Sequence, residues 1–233
     1  MTRAPQIIAA LGLGLAGCAV LIGLGVWQVQ RLAWKTAILD RIEARIAAAP
    51  VPVPEAPDPV RDAYLSVAAE GRIDAPAIRV LVSQKDQGAG CRIVQAFETG
   101  DRRLLLDRGF VRIEGCKAAF PGGPVQVTGN LHWPDEIDSY TPAPEANWRD
   151  GGLWFARDLP AMAEALGTEP VLIVAREPTG DGIAPLPLGS EGIPNDHLNY
   201  AITWFSLALV WAGMTVLMLS RISRRAEQDK KAR

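Results

Sequence analysis

Two uncharged apolar runs, residues 7–26 and 200–219, stand at opposite ends of this 233-residue chain. Their placement constrains the fold more than anything between them. Each is close to the ~20 residues that a helix needs to cross a hydrocarbon core. The polar stretch between them, residues 30–199, is long enough to bury a core of its own. The expected architecture is therefore one domain held at a membrane by both ends.

Orientation follows from the basic residues beside the runs. Arg3 precedes the first, and Arg221, Arg224, Arg225, Lys230, Lys231 and Arg233 follow the second. They predict cytoplasmic termini and an outer central domain in a multi-pass membrane protein. Arg31 and Lys35, on the other side of the first run, are outweighed. Residues 31–199 hold 17 Lys+Arg against 24 Asp+Glu, a net of −7, so nucleic acid is not an expected partner. The first run is too long for a cleavable signal peptide and ends in Trp27-Gln28 without a small-residue cut site. Leu15-Ala16-Gly17-Cys18 has the look of a lipoprotein cleavage box, but the apolar run continues past Cys18, where a lipoprotein turns polar.

The chain divides into a cytoplasmic N-terminus (1–6), a first span (7–29), a juxtamembrane amphipathic helix (30–49), a Pro-rich extended linker (50–60), a β-rich domain (61–177), a return loop (178–199), a second span (200–219) and a basic cytoplasmic tail (220–233). Leu32, Trp34, Ile38, Leu39, Ile42 and Ile46 recur at helical spacing. The outer domain reads as short strands around Gly71, Pro76 and the turn Thr99-Gly100-Asp101, with one short helix near Pro160–Leu166 stopped by Gly167. The fold class is α+β: two transmembrane helices flank a mostly antiparallel sheet that curls toward a partial barrel. Gly12, Ala16, Ala19 and Gly23 in the first span, and Ala208, Ala212 and Gly213 in the second, either let two helices approach in lipid or are there because glycine is common in membrane helices. Cys91 and Cys116 are a disulfide, two small buried hydrophobes or metal ligands, although no CxxC spacing supports the last.

Two histidines narrow the search for chemistry. His197 lies three residues before the second span, where Tyr200, Ala201 and Trp204 share its helical face. An imidazole there either binds a metal or haem iron, or caps a helix. Trp27, Arg31 and Trp34 follow at i, i+4 and i+7, with Lys35 four beyond Arg31. They form either an aromatic belt with snorkelling bases or a porphyrin-binding surface whose cation meets a propionate. His132 ends a strand and reads as a surface or hydrogen-bonded histidine. Asp107-Arg108-Gly109 reads as an ion pair beside a bulge. Asp135-Glu136-Ile137-Asp138 reads as a solvated acidic turn. No phosphate loop, Ser-His-Asp set or HExxH motif appears, so the chain reads as a binding protein and not an enzyme.

Four motifs then fall in a familiar order. They are Leu24-Gly25-Val26-Trp27-Gln28-Val29-Gln30-Arg31-Leu32-Ala33-Trp34-Lys35; Leu104-Leu105-Leu106-Asp107-Arg108-Gly109-Phe110-Val111; Val127-Thr128-Gly129-Asn130-Leu131 with the later Trp154-Phe155-Ala156-Arg157-Asp158; and the stretch 195–205 around His197. In these the chain resembles the Surfeit locus protein 1 family, assembly factors of haem-copper cytochrome oxidases. The resemblance implies an inner or bacterial cytoplasmic membrane location and a transient haem a cofactor delivered to the catalytic subunit of the oxidase. It also implies membrane lipid as surroundings, and haem a synthase as a further candidate partner. The family's haem-associated histidine matches His197, which makes it the implied iron ligand. Trp27, Trp34, Tyr200 and Trp204 would line the ring, and Arg31 or Lys35 would meet a propionate. The absence of an Arg-rich, Ser-rich transit peptide favours a bacterial chain. The family's Arg-Gly-Trp is Arg108-Gly109-Phe110 here, its Gly-Tyr-His-Val-Val-Thr-Pro is replaced by residues 90–96, and His132 stands where the family often has Arg. The rival function is a haem-independent scaffold that holds oxidase subunits together during assembly.

Overall fold

The computed structural model describes residues 4–144, 152–190 and 193–231. Arg3 and Arg233, the side chains of Lys230 and Lys231, and residues 191–192 of the return loop lie outside the described residues. The chain forms two compact units, Met1–Asp40 with Glu191–Arg233, and Arg41–Ser190.

The first unit is a helix pair. Helix α1 (Ala4–Ile46) enters it from the N-terminus, and α3 (His197–Lys231) completes it. Both are long and apolar enough to cross a membrane, and only 11% and 6% of their most apolar windows are buried. That outward-facing apolar surface suits helices whose solvent is lipid. The covered face of α1 carries Ala10, Gly14, Gly25 and Gln28, and that of α3 carries Ala201 and Ala208. Gly17 belongs to the same row, since a Cβ there would run into the Trp211 indole; one at Gly14 would run into Thr215, and one at Gly25 would meet Phe205. Steps of three and four residues along both helices give knobs-into-holes spacing. The indole Nε1 of Trp211 donates to Gly14 O at 3.2 Å. Of the two readings, Ala208 fits the packing one, whereas Gly12, Gly23 and Gly213 fit the other: nothing outside the helix's own backbone and chain neighbours lies within 4 Å of where a Cβ would stand. Gly12 and Gly23 sit a fraction of a turn off the seam, facing outward.

The second unit is a strongly bent sheet. Its strands are β1 (Val51–Pro52), β2 (Ser66–Gln84), β3 (Gly88–Thr99), β4 (Arg102–Arg112), β5 (Gly123–His132), β6 (Leu153–Trp154) and β7 (Leu172–Ala175), with helix α2 (Leu159–Leu166). The order β1-β2-β3-β4-β7-β5 returns on itself, because β5 pairs with the first half of β2 while β3 pairs with the second. Antiparallel pairing dominates; β1–β2, β2–β6 and β4–β7 are the parallel pairs. The two strands expected on either side of Gly71 and Pro76 are one strand, β2. Ala75 and Pro76 bulge out between Asp74 and Ala77, which lets Pro avoid the ladder hydrogen bond it cannot make. Val51–Pro52, in the segment expected to be an extended linker, pairs as an edge strand, where Pro is tolerated.

β4 and β7 are buried on both faces, which explains their unbroken apolar runs. Leu104, Leu106 and Ile173 point with Val67, Ile73, Phe97 and Leu131 into one cluster. Leu105, Leu172 and Val174 point with Val94, Met162 and Leu166 into another, under α2. Asp158 caps α2 by accepting from Ala161 N at 3.2 Å, Pro160 opens it, and Gly167 closes it at φ +63°. Cys91 and Cys116 form a disulfide, so the two-hydrophobe and metal-ligand alternatives fall. The last turn of α1 is also satisfied within this unit. Ile46 O accepts from Asn130 Nδ2 at 3.1 Å and from Arg176 Nη1 at 2.8 Å, partners that an orphan C-terminal carbonyl needs.

Candidate functional site

His197 is the first residue of α3, preceded by Asn195-Asp196 and held in a turn where Tyr200 N donates to Asp196 O. Its ring is partly buried, with Nδ1 2.8 Å from Oε1 of Gln28. Gln28 is only 8% exposed, in the seam of the helix pair one residue from Trp27. The expected face of α3 divides: Ala201 turns inward and is buried, Trp204 is half-buried, and Tyr200 is exposed. On α1, Trp27 and Trp34 expose 53% and 49% of their surfaces. Arg31 lies over the Trp34 ring at 4.0 Å, a cation–π stack along one exposed helix face. Lys35 is half-buried, one heptad beyond Gln28 on the seam side.

The structure thus brings His197 to Gln28 and Arg31 to Trp34. Trp27, Arg31 and Trp34 share the outer face of α1, while Gln28 and Lys35 belong to its covered side. Gln28 escaped the sequence reading. Its signal was its position, two heptads beyond Gly14 in the row of small residues that makes the seam. What the arrangement offers chemically is one imidazole with a satisfied Nδ1, flat aromatic surface open to the surroundings, and two cations. A groove of about 390 Å³ also opens between α1 and α3, lined by Ala10, Gly14, Trp211, Met214, Thr215 and Arg221. None of the predicted site residues lines it.

A second polar centre lies inside the β unit. Asp107 and Arg108 were expected to pair with each other; each instead has other partners. Asp107, fully buried, accepts from Arg92 Nη1 at 2.5 Å and Arg157 Nη1 at 3.3 Å, and its Oδ1 accepts from Gly109 N at 3.1 Å. Arg157 also pairs with Glu136, so that acidic residue is not merely solvated. Burial opposes the Arg157 charge, but Glu136 and Asp107 outweigh it and raise its pKa. Burial likewise opposes the Glu136 charge, yet Arg157 and Arg92 lower its pKa. His132 is pushed down to about 4, first by burial and then by Arg157 and Arg92, with Glu136 opposing.

Arg108 is the extra residue of a β4 bulge, where Asp107 and Gly109 face Val94 and Ile93. Its guanidinium is fully buried and donates to Gln95 Oε1 (2.6 Å), Asp181 Oδ2 (2.9 Å), Thr179 Oγ1 (2.8 Å) and Thr179 O (2.9 Å). Burial lowers its pKa, and Asp181 opposes that shift. Gly109, at φ +120°, would drive a Cβ into Ala184 O. These contacts strap the segment around 179–186 onto β4. They are a structural clasp, and Arg92 Nη1 adds to it by donating to Leu186 O at 3.3 Å.

A model of the SURF1 family matches residues 15–209, which includes parts of both long helices and the whole β unit. Surfeit locus protein 1 of Homo sapiens is 31% identical over 217 residues, covering 80% of this chain and 69% of its own length. Surfeit locus protein 1 of Rattus norvegicus is 28% identical over 235 residues, covering 89% and 74%. The SURF1-like protein of Drosophila melanogaster is 30% identical over 219 residues, covering 82% and 71%.

Proposed function

The chain belongs to the SURF1 family, and from that membership we propose that it is an assembly factor for a haem-copper cytochrome oxidase, binding haem a transiently and passing it to the catalytic subunit. The protein's role involves no covalent chemistry, only reversible ligation of the haem iron. The role needs a site that holds a porphyrin less tightly than the oxidase does, and a single imidazole suits it better than two strong ligands. The observation that carries the reading is the state of His197. Its Nδ1 is engaged by Gln28 at 2.8 Å, which leaves Nε2 as the ring atom available to iron, at the head of a helix that can cross a membrane. The open aromatic surfaces of Trp27, Trp34 and Tyr200, with half-buried Trp204, fit a flat apolar ring. Arg31 and Lys35 fit its carboxylates.

The disulfide between Cys91 and Cys116 supports an oxidising compartment for the β unit. With the basic residues after the second span it favours an outer domain and cytoplasmic termini, in a bacterial cytoplasmic membrane. The catalytic oxidase subunit is the partner this reading requires, with haem a synthase upstream as the donor.

The test is the Soret absorption of the protein purified from haem a-producing cells, beside His197→Ala. The expected result is haem in the first and a severe loss in the second. Equal haem content in both removes His197 from the role. Intact oxidase assembly with His197→Ala, but failed assembly with changes at Arg108, identifies a haem-independent scaffold instead.

A further inference from the structure

We propose that Gln28 is a positioning residue: its side-chain carbonyl holds the His197 ring in the Nδ1–H tautomer, so that Nε2 presents the lone pair. Three observations carry this. The Nδ1···Oε1 distance is 2.8 Å. Oε1 of an amide only accepts, so the ring nitrogen facing it carries the proton. Gln28 is 8% exposed in the seam between α1 and α3, beside Gly25 and opposite a stretch that includes the buried Ala201.

A primary amide in that seam costs free energy unless it is hydrogen-bonded. An apolar residue would pack there at no such cost, so the amide is placed for its partner. The partner is the one side chain on the opposing helix head whose two nitrogens differ in what they can do. In water a free histidine side chain favours the Nε2–H form, which offers no lone pair at Nε2. The Gln28 carbonyl reverses that preference before any ligand arrives. A hydrogen bond to the distal nitrogen also fixes ring orientation and raises the basicity of the ligating nitrogen. The inference rests on the haem-binding reading only for what Nε2 takes; the tautomer is a property of the ligand-free chain.

The experiment uses the full chain in detergent micelles with ring-¹⁵N histidine, at about pH 8.5 where imidazoles are neutral. Only two histidines give signals, and His132→Gln assigns them. The Nδ1–H pattern is expected for His197 in the unmodified protein and in Gln28→Glu, with a shift to Nε2–H in Gln28→Leu. An Nε2–H pattern in the unmodified protein overturns the proposal. So does an unchanged pattern in Gln28→Leu. Should that variant not fold, the unmodified protein and Gln28→Glu still decide.

With haem a added to the reduced protein, the iron–histidine stretching band is expected to rise in Gln28→Glu, because a carboxylate accepts more strongly than an amide. A band that does not move overturns the positioning role. A fixed Nδ1–H tautomer with no haem bound overturns the haem reading alone and upholds the role of Gln28.

Discussion

Arg108 Nη1 and Gln95 Oε1 lie 2.6 Å apart in the interior of the β unit, and through this bond two bulges on different strands support each other. Gln95 sits opposite the β2 bulge and donates from Nε2 to Asp74 O at 3.0 Å and Phe120 O at 2.8 Å. Arg108 is itself the extra residue of the β4 bulge and reaches onward to Thr179 and Asp181. Arg108→Met keeps the volume but leaves Gln95 Oε1 and the two Thr179 oxygens without the Arg108 donors, and Asp181 Oδ2 with Gly122 N at 3.3 Å. Leaving a buried acceptor such as Gln95 Oε1 unpaired costs about 1–3 kcal/mol, and Asp181, which is exposed, adds little. Arg108→Lys retains the charge but not the planar fork, and should lose less. Urea unfolding of the β unit, followed by near-UV circular dichroism, checks both. Equal stability of Arg108→Met and the parent would show that the clasp contributes nothing.

Gly109 makes the next turn of the same clasp possible. At φ +120° it lies where side chains are strained, and the space for a Cβ is filled by Ala184 O. Phe110 N and O meanwhile exchange bonds with Ala184 at 2.7 and 3.0 Å. Gly109→Ala should cost at least about 2 kcal/mol, from backbone strain and displacement of the strap together. Gly88 has φ +77° but nothing within 4 Å of an added Cβ, so Gly88→Ala isolates the backbone part, about 1 kcal/mol. Midpoints in the same urea titration should fall in that order. A larger loss at Gly88 would contradict the strap contact.

The acid limb of the stability curve should bear the mark of His132. Its folded pKa is about 4, below the ordinary 6.5. Below pH 6.5 the unfolded chain takes up a proton that the native chain refuses, so stability falls as pH falls. The loss continues to about pH 4 and then levels, with a total of about 3 kcal/mol. The lowered Glu136 pKa works in the same direction but only below the ordinary carboxylate range. His132→Gln should therefore flatten the curve between pH 6.5 and 4 and leave the steeper acid limb intact. Denaturant midpoints at half-unit pH steps measure it. A curve with the same slope in both proteins would remove His132 as its source.

What the sequence disclosed follows from the range of the interactions involved. Local patterns sufficed for the two long helices, for α2 between Asp158 and Gly167, and for the hairpin at Gly100, because caps and turns act over a few residues. Pairings across the chain did not declare themselves. Asp107 and Arg108 look like a pair because they are adjacent, but successive residues of a strand point to opposite faces, and their side-chain partners lie 13 to 73 residues away. The seam of the helix pair stayed undecided for a related reason. Glycines are spread over the first span, and only the register against α3 distinguishes Gly14 and Gly17 from Gly12 and Gly23. At the site, His197 was legible as one of two histidines beside a span, and the exposed Trp27 and Trp34 by their spacing. Gln28 was not, since an amide at the end of an apolar run signals nothing until its partner is known.

That register gives the final expectation. A leucine at residue 17 must displace the Trp211 ring, whereas residue 12 has open space. Gly17→Leu should therefore separate the helices at an overpacking cost of about 1–3 kcal/mol, and Gly12→Leu should not. Cys18 provides the measurement, since its Sγ lies 3.9 Å from Ala208 O. With Ala208→Cys introduced, oxidation in micelles should cross-link the two helices within one chain. The yield should drop sharply with Gly17→Leu and stay unchanged with Gly12→Leu. Loss in both, or in neither, would mean that the small residues facing Trp211 and Thr215 do not set the approach of α1 to α3.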